Sequence, residues 1–65
     1  MKITLNGTAT ETSAQTIGQL LHELGLDGKP VVIEHNQVAL LKAEHQTTNL
    51  SLNDQLEIIT LAAGG

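Results

Sequence analysis

The chain has 65 residues, enough for one small domain, and it contains no aromatic residue, so its core must be built from Leu, Ile, Val and Ala. Three lysines against seven acids give a net charge of −4, which argues against nucleic-acid binding, because that binding needs basic side chains and stacking rings. The absence of cysteine excludes a disulfide framework, a thiolate zinc site and a cysteine nucleophile.

The chain shows no feature of a membrane or secreted protein. No apolar run approaches the length of a membrane span, and the N-terminus lacks the apolar region of a signal peptide. Together with the missing cysteines, this predicts a cytoplasmic protein. A domain of this size buries only about 60% of the surface of its unfolded chain, so a deep active-site cleft is not expected.

The first predicted element is a β-hairpin. Residues 1–5 alternate apolar and polar, which is the period of a half-buried strand. Asn6-Gly7 is a strong turn signal, since both residues accept positive φ. Residues 8–13 are rich in threonine and poor in apolar residues, which favours a returning strand at a sheet edge.

One helix follows. Thr16 and Gln19 fit a capping box at its start, and Gly25 is placed to end it in a left-handed conformation, with Leu26 folding back on Leu21. The apolar stripe has helical spacing and consists of Ile17, Leu20, Leu21 and Leu24.

The second half of the chain predicts three more strands. We expect a largely buried strand at residues 31–35, a turn at 36–37 and a short strand at 38–41. A polar irregular segment at 42–49 and a last strand at 55–61 follow. Leu50 and Leu52 are expected to close the core, and Asn53-Asp54 is expected to form the turn before the last strand.

This order predicts an α+β fold of the β-grasp (ubiquitin-like) type, with a mixed four- to five-stranded sheet packed on one main helix. The first and last strands are expected to lie side by side and parallel at the centre of the sheet, because the helix supplies the crossover that a parallel neighbour needs.

The last four residues, Ala62-Ala63-Gly64-Gly65, have neither bulk nor charge in their side chains. We therefore divide the chain into a domain at 1–61 and a flexible diglycine tail at 62–65. The reactive group of such a tail is the α-carboxylate of Gly65. It can enter a narrow binding site because neither glycine carries a Cβ.

A docking surface is predicted beside this tail. Strand alternation sends Leu56 and Ile58 to one face of the sheet and Ile59 and Leu61 to the other. One helix can cover only one face, so Ile59 and Leu61 are expected to contact a partner together with the neighbouring alanines, Ala62 and Ala63.

The remaining polar residues favour no catalytic site. The three histidines lack the spacing of metal ligands and are expected to be solvated or lightly packed, so no metal site is predicted. Asp54 and Glu57 are interpreted as a turn residue and a surface residue rather than an acid–base pair, and Glu23 as solvated. Ser13 and Ser51 have no base beside them in the sequence.

The whole chain resembles the ThiS family, the small β-grasp sulfur carrier proteins of thiamin biosynthesis. The most specific likeness is the terminal Gly64-Gly65 after the strand Leu56-Glu57-Ile58-Ile59. The helix also follows the family pattern Thr-x-x-x-Leu-Leu-x-x-Leu-x-Leu from Thr16, and residues 31–36 match its third strand and asparagine turn. The departures are Asn53 for a glycine, Leu41-Lys42 for Pro-Arg, His45 for an aromatic residue, and Ala62 for a bulkier apolar one.

The resemblance implies that the carboxylate of Gly65 is adenylated by an ATP-using, E1-like (ThiF-like) activating enzyme and becomes a thiocarboxylate. It also implies a sulfur donor protein and a ThiG-like thiazole synthase that receives the sulfur. The chain itself is then a protein co-substrate and not an enzyme, with no bound cofactor. The open alternatives are a carrier for molybdopterin or another sulfur-containing metabolite, and a β-grasp interaction module with an inert tail.

Overall fold

The computed structural model describes residues 1–61, which form a mixed five-stranded sheet with one α-helix against one face. The elements in chain order are β1 (Lys2–Leu5), β2 (Thr8–Glu11), α1 (Ile17–Glu23), β3 (Val31–His35), β4 (Val38–Ala39), a 3₁₀ turn (Lys42–Glu44) and β5 (Gln55–Thr60). The strand order is β2-β1-β5-β3-β4. The predicted arrangement is confirmed, because β5 lies at the centre, parallel to β1 and antiparallel to β3.

Two tight turns set the register of the outer strand pairs. Asn6 and Gly7 have φ values of 50° and 81°, and Asn36 and Gln37 have φ values of 50° and 71°. Two consecutive residues with positive φ give the twist that a two-residue hairpin requires. Both predicted turns are therefore present, and β2 lies at the sheet edge as expected.

The helix is capped at both ends. Thr16 Oγ1 accepts a hydrogen bond from the Gln19 amide at 3.1 Å. The Gln19 side chain does not return to Thr16 as in a full capping box but accepts from the Gln15 amide at 2.7 Å. At the other end Gly25 has φ +73°, and the Leu26 amide donates to the Leu21 carbonyl at 2.8 Å, which is the predicted Schellman motif.

The core lies between α1 and the inner face of the sheet. Its buried apolar residues are Ile3, Ala14, Ile17, Leu20, Leu21, Ile33, Leu50, Leu56 and Ile58. Two sequence predictions are wrong here. Leu52 is 65% exposed and does not close the core, since it lies in the turn before β5 while Leu50 reaches inward. Strand β3 is not largely buried, because only Ile33 of its five residues is buried.

Three strands end earlier than predicted. Strand β5 ends at Thr60, one residue early, and in β2 and β4 side chains bind the backbone that follows the strand. Strand β2 stops at Glu11, and the next residue, Thr12, accepts from the Ala14 amide and donates to Glu23. Strand β4 stops at Ala39, and the chain then enters the 3₁₀ turn, where the Leu41 amide donates to the Glu44 side chain. Within residues 1–61 no helix is both long and apolar enough to cross a membrane.

Candidate functional site

The two faces of β5 differ sharply in exposure. Leu56 and Ile58 are 1% and 8% exposed and belong to the core, whereas Ile59 and Leu61 are 58% and 50% exposed. This confirms the predicted alternation. The sheet face turned away from α1 therefore carries two large aliphatic side chains at the point where the described chain ends.

Val32 completes this surface, and sequence reasoning missed it. Val32 lies directly opposite Ile59 on the neighbouring strand and is 43% exposed. We refer to Val32, Ile59 and Leu61 as the apolar patch. The sequence contained a signal for the exposure of Val32. Glu34 must face solvent, and Val32 lies two residues earlier on the same strand and therefore on the same face.

An acidic pair borders the apolar patch. Glu34 and Glu57 lie directly opposite one another on β3 and β5, and both are exposed. Like charges in directly opposed positions of an antiparallel pair repel one another. A basic group on a docking protein would relieve that repulsion, so this surface suits a partner that presents apolar and basic side chains together.

The middle of β5 is fixed by a side chain in the first hairpin. Asn6 Oδ1 accepts from the Ile58 amide at 2.8 Å, and Asn6 Nδ2 donates to the Ile58 carbonyl at 3.2 Å. Strand β1 ends at Leu5, so the Asn6 amide continues the β1–β5 ladder by one further position. The face that carries Ile59 is thereby held in a single register.

The far end of β5 is held from the other side. The Leu61 amide donates to the Pro30 carbonyl at 2.9 Å, one position beyond the Val31–Thr60 pair. The hydrogen bonding between the two strands therefore continues as far as Leu61 and fixes the path of the backbone up to that residue. The predicted tail residues Ala62, Ala63, Gly64 and Gly65 lie outside the described residues.

Asp54 belongs to a structural cluster and not to an acid–base pair with Glu57. Its carboxylate lies 2.7 Å from His35 Nε2 and accepts hydrogen bonds from Asn36 and from the Ser51 amide. Burial alone would raise the pKa of Asp54, but these hydrogen bonds outweigh burial and hold the pKa below its ordinary value. The cluster ties the turn before β5 to the β3–β4 turn.

Glu23 is also structural, although we expected it to be solvated. Its carboxylate accepts hydrogen bonds from Thr12 and Ser13, which lower its pKa and fasten the end of α1 to the segment after β2. The Ser13 hydroxyl donates to Glu23 in this contact. In the described part of the chain, no three His, Cys, Asp or Glu residues are placed to hold a metal ion.

Comparison with known proteins identifies the family. The model of the ThiS family matches residues 3–65. The chain belongs to the ThiS family. The predicted resemblance is thus confirmed, and the family match extends through Gly64-Gly65.

Two relatives place this ThiS-family chain among known proteins. The crystal structure of the thiamine biosynthesis protein ThiS from Geobacter metallireducens matches with a TM-score of 0.82 at 23% identity, covering 100% of both chains. This confirms the β-grasp fold. A thiazole synthase from Paramagnetospirillum magneticum is 35% identical over 66 residues, which cover 100% of this chain and 20% of that protein. The chain thus spans about a fifth of the length of that curated relative.

Proposed function

We propose that the protein is a sulfur carrier of thiamin biosynthesis whose C-terminal glycine is activated and converted to a thiocarboxylate. The observation that carries this proposal is the family match, which runs from Ile3 to Gly65 and so includes the diglycine. The fold supports it, because β5 is fixed on both sides and leads directly to residues 62–65.

The chemistry assigned to Gly65 follows from the weakness of a carboxylate as an electrophile. A carboxylate oxygen of Gly65 attacks the α-phosphate of ATP, and pyrophosphate leaves, so that an acyl adenylate forms on the activating enzyme. Hydrosulfide released from the sulfur donor then attacks the carbonyl carbon of the acyl adenylate, the bond to the AMP oxygen breaks, and AMP leaves behind a thiocarboxylate. Gly64 and Ala63 have little or no side chain, so the tail is narrow enough to enter a confined active site. Catalytic groups come from the partner enzymes.

The apolar patch is proposed as the docking surface for the E1-like, ThiF-like activating enzyme. Val32, Ile59 and Leu61 form a compact exposed aliphatic surface beside the exit of the chain, and exposed apolar surface of this kind is typical of protein-binding sites. The adjoining Glu34–Glu57 pair adds a preference for basic residues on the partner. Ala62 and Ala63 extend the proposed contact toward Gly65.

A thiazole synthase is proposed as the protein that accepts the sulfur. The relative from Paramagnetospirillum magneticum carries a region similar to this chain in the same polypeptide as the remainder of a thiazole synthase. Linking two modules in one chain raises their effective concentration for one another. Such a linkage favours a thiazole synthase as the partner over the enzymes of another sulfur pathway.

The intact mass of the protein tests the carrier function. The chain ending at Gly65 is incubated with ATP, a sulfide source and the activating enzyme of its host, with an established carrier as positive control. We expect the mass change of one oxygen replaced by sulfur, localised to Gly65. A matched variant with one alanine added after Gly65 should stay unmodified while keeping its fold, because the reacting carboxylate is displaced and a Cβ is introduced.

The outcomes separate a carrier from an interaction module. If the added alanine leaves sulfur transfer unchanged, the reacting group is not the Gly65 carboxylate and the carrier function is wrong. If the unextended chain also stays unmodified while the control carrier reacts, the protein is better described as a β-grasp interaction module.

A further inference from the structure

Asn6-Gly7 is the single asparagine–glycine step in the chain. An asparagine side chain can react with the backbone nitrogen of the next residue, and glycine presents that nitrogen without a Cβ in the way. The other three asparagines precede Gln37, Leu50 and Asp54, whose side chains crowd the same approach. The sequence therefore singles out Asn6 as the most reactive asparagine of the unfolded chain.

The folded structure ties Asn6 to the central strand. Its Oδ1 accepts from the Ile58 amide at 2.8 Å, and its Nδ2 donates to the Ile58 carbonyl at 3.2 Å. Its backbone amide donates to the Leu56 carbonyl at 2.8 Å. Ile58 is only 8% exposed, so water cannot readily replace these bonds. For the side chain to turn from β5 toward the Gly7 nitrogen, both of its hydrogen bonds must break.

We propose that Asn6 is a deamidation site that the folded domain keeps closed and that unfolding opens. In the unfolded chain the Gly7 backbone nitrogen attacks Cγ of Asn6 and loses its proton, and the side-chain nitrogen leaves as ammonia. A water molecule then opens the resulting succinimide at either carbonyl, which gives aspartate or isoaspartate. Ammonia is thus exchanged for water, and the step needs no other reactant. This proposal is independent of the carrier chemistry at Gly65.

Both products fit the fold less well than asparagine does. An ionised aspartate has no donor, so it would place an oxygen against the Ile58 carbonyl where Nδ2 now donates. Isoaspartate adds an atom to the backbone inside the two-residue turn that sets the β1–β2 register. Molecules that react while unfolded are therefore hindered from refolding. Chemical modification of the unfolded state makes unfolding irreversible in this way.

Asn36 is an internal control within the same chain. It also opens a two-residue turn with φ 50°, and its side chain also reaches toward β5, where Oδ1 accepts from the Gln55 amide at 2.8 Å. The next residue is Gln37, however, and not glycine. In the folded protein both asparagines are held, whereas in the unfolded chain only Asn6 should react rapidly.

Timed incubation of the full chain in one mildly alkaline buffer tests the proposal. One sample is unfolded in guanidinium chloride, and the other stays folded in sodium chloride of equal ionic strength. Peptide mapping by mass spectrometry follows Asn6 and Asn36. We expect Asn6 to deamidate at least about tenfold more slowly in the folded sample, because two hydrogen bonds must open. Equal rates for Asn6 in the two samples overturn the proposal, as does an Asn36 that reacts as fast as Asn6 when unfolded.

The reactive step is tested by Gly7→Ala in the unfolded chain, where the positive φ of Gly7 no longer matters. The added Cβ lies beside the attacking nitrogen, so deamidation of Asn6 should slow toward the rate of Asn36. An unchanged rate contradicts the proposed attack by the Gly7 nitrogen.

The consequence for folding is tested by Asn6→Asp, which makes one product directly. In denaturant titrations we expect its ratio of unfolded to folded molecules to rise at least about tenfold at a given concentration. Asn49→Asp is the matched control, because it adds the same charge at an exposed position and should change that ratio by less than about twofold. If the two variants are equally stable, deamidation of Asn6 does not hinder refolding and the proposed closure fails.

Discussion

Val32 and Ile59 lie directly opposite one another on β3 and β5, and both are exposed on the sheet face that α1 does not cover. Cross-strand aliphatic pairs usually stabilise a sheet by burying each other against a second layer. In the described part of this protein no second layer covers the pair, and Leu61 adjoins it at the end of the strand. The pair is therefore better explained by contact with a partner than by the stability of the domain.

Replacement of Ile59 by aspartate tests that explanation. Ile59→Asp places a charge at the centre of the apolar patch, and we expect the rate of activation by the ThiF-like enzyme to fall at least about tenfold, as for a central interface residue. Leu52→Asp is a matched control, because Leu52 is 65% exposed but lies in the turn before β5. Thermal unfolding of both variants should resemble that of the unsubstituted protein. An unchanged activation rate for Ile59→Asp would remove the patch from the docking surface.

Asn6 should be a major determinant of stability although it is an exposed turn residue. Asn6→Ala removes both hydrogen bonds to Ile58, which is 8% exposed, and forces alanine into φ 50°. We expect a loss of about 2–4 kcal/mol in the free energy of unfolding, measured by urea denaturation. Asn6→Gly retains the backbone conformation and isolates the hydrogen-bond contribution. Equal stability of Asn6→Gly and the unsubstituted protein would show that the side chain contributes nothing.

The stability of the protein should depend on pH through Asp54. Hydrogen bonds hold its folded pKa below the ordinary value of 3.8, so its contribution is present above that value and is lost as the pH falls through the folded pKa. We expect Asp54→Asn to cost about 2 kcal/mol at neutral pH and progressively less as the pH falls below 3.8. Glu23→Gln should act in the same direction but more weakly, because Glu23 is exposed. A stability difference that does not vary with pH would contradict this assignment.

Gly18 and Gly25 should respond to alanine in opposite directions. A Cβ at Gly18 would approach the Gln46 side chain, which is exposed and can move, and alanine favours the helix by up to about 1 kcal/mol. Gly25 has open space around its Cβ position but φ +73°, so alanine there should cost about 1–2 kcal/mol. Thermal unfolding of the two variants provides the comparison. Destabilisation by Gly18→Ala would show that Gln46 is fixed in place.

Local chemistry made much of this fold predictable from sequence. The Asn6-Gly7 turn, the Thr16 cap and the Gly25 termination depend on a few neighbouring residues, and each is found where the pattern placed it. Burial was harder to predict, because the exposure of Val32 and Leu52 depends on which surfaces other segments cover. The burial of His45 was missed for the same reason: it was expected to be solvated or lightly packed but is only 7% exposed, and its carbonyl accepts from the Gly18 amide, which is distant in sequence.

Of the five strands in residues 1–61, the central one, β5, comes last in the chain. Residues 1–54 contain four of the five strands and the helix, but β1 and β3 both pair with β5 and not with each other. The nascent chain therefore cannot close its core on the ribosome until Thr60 has emerged from the exit tunnel. Pairing between the two ends of the domain has a high contact order, which slows folding. A polypeptide released before β5 would lack the strand that joins β1 to β3, so we expect it to stay unfolded and to be open to proteolysis.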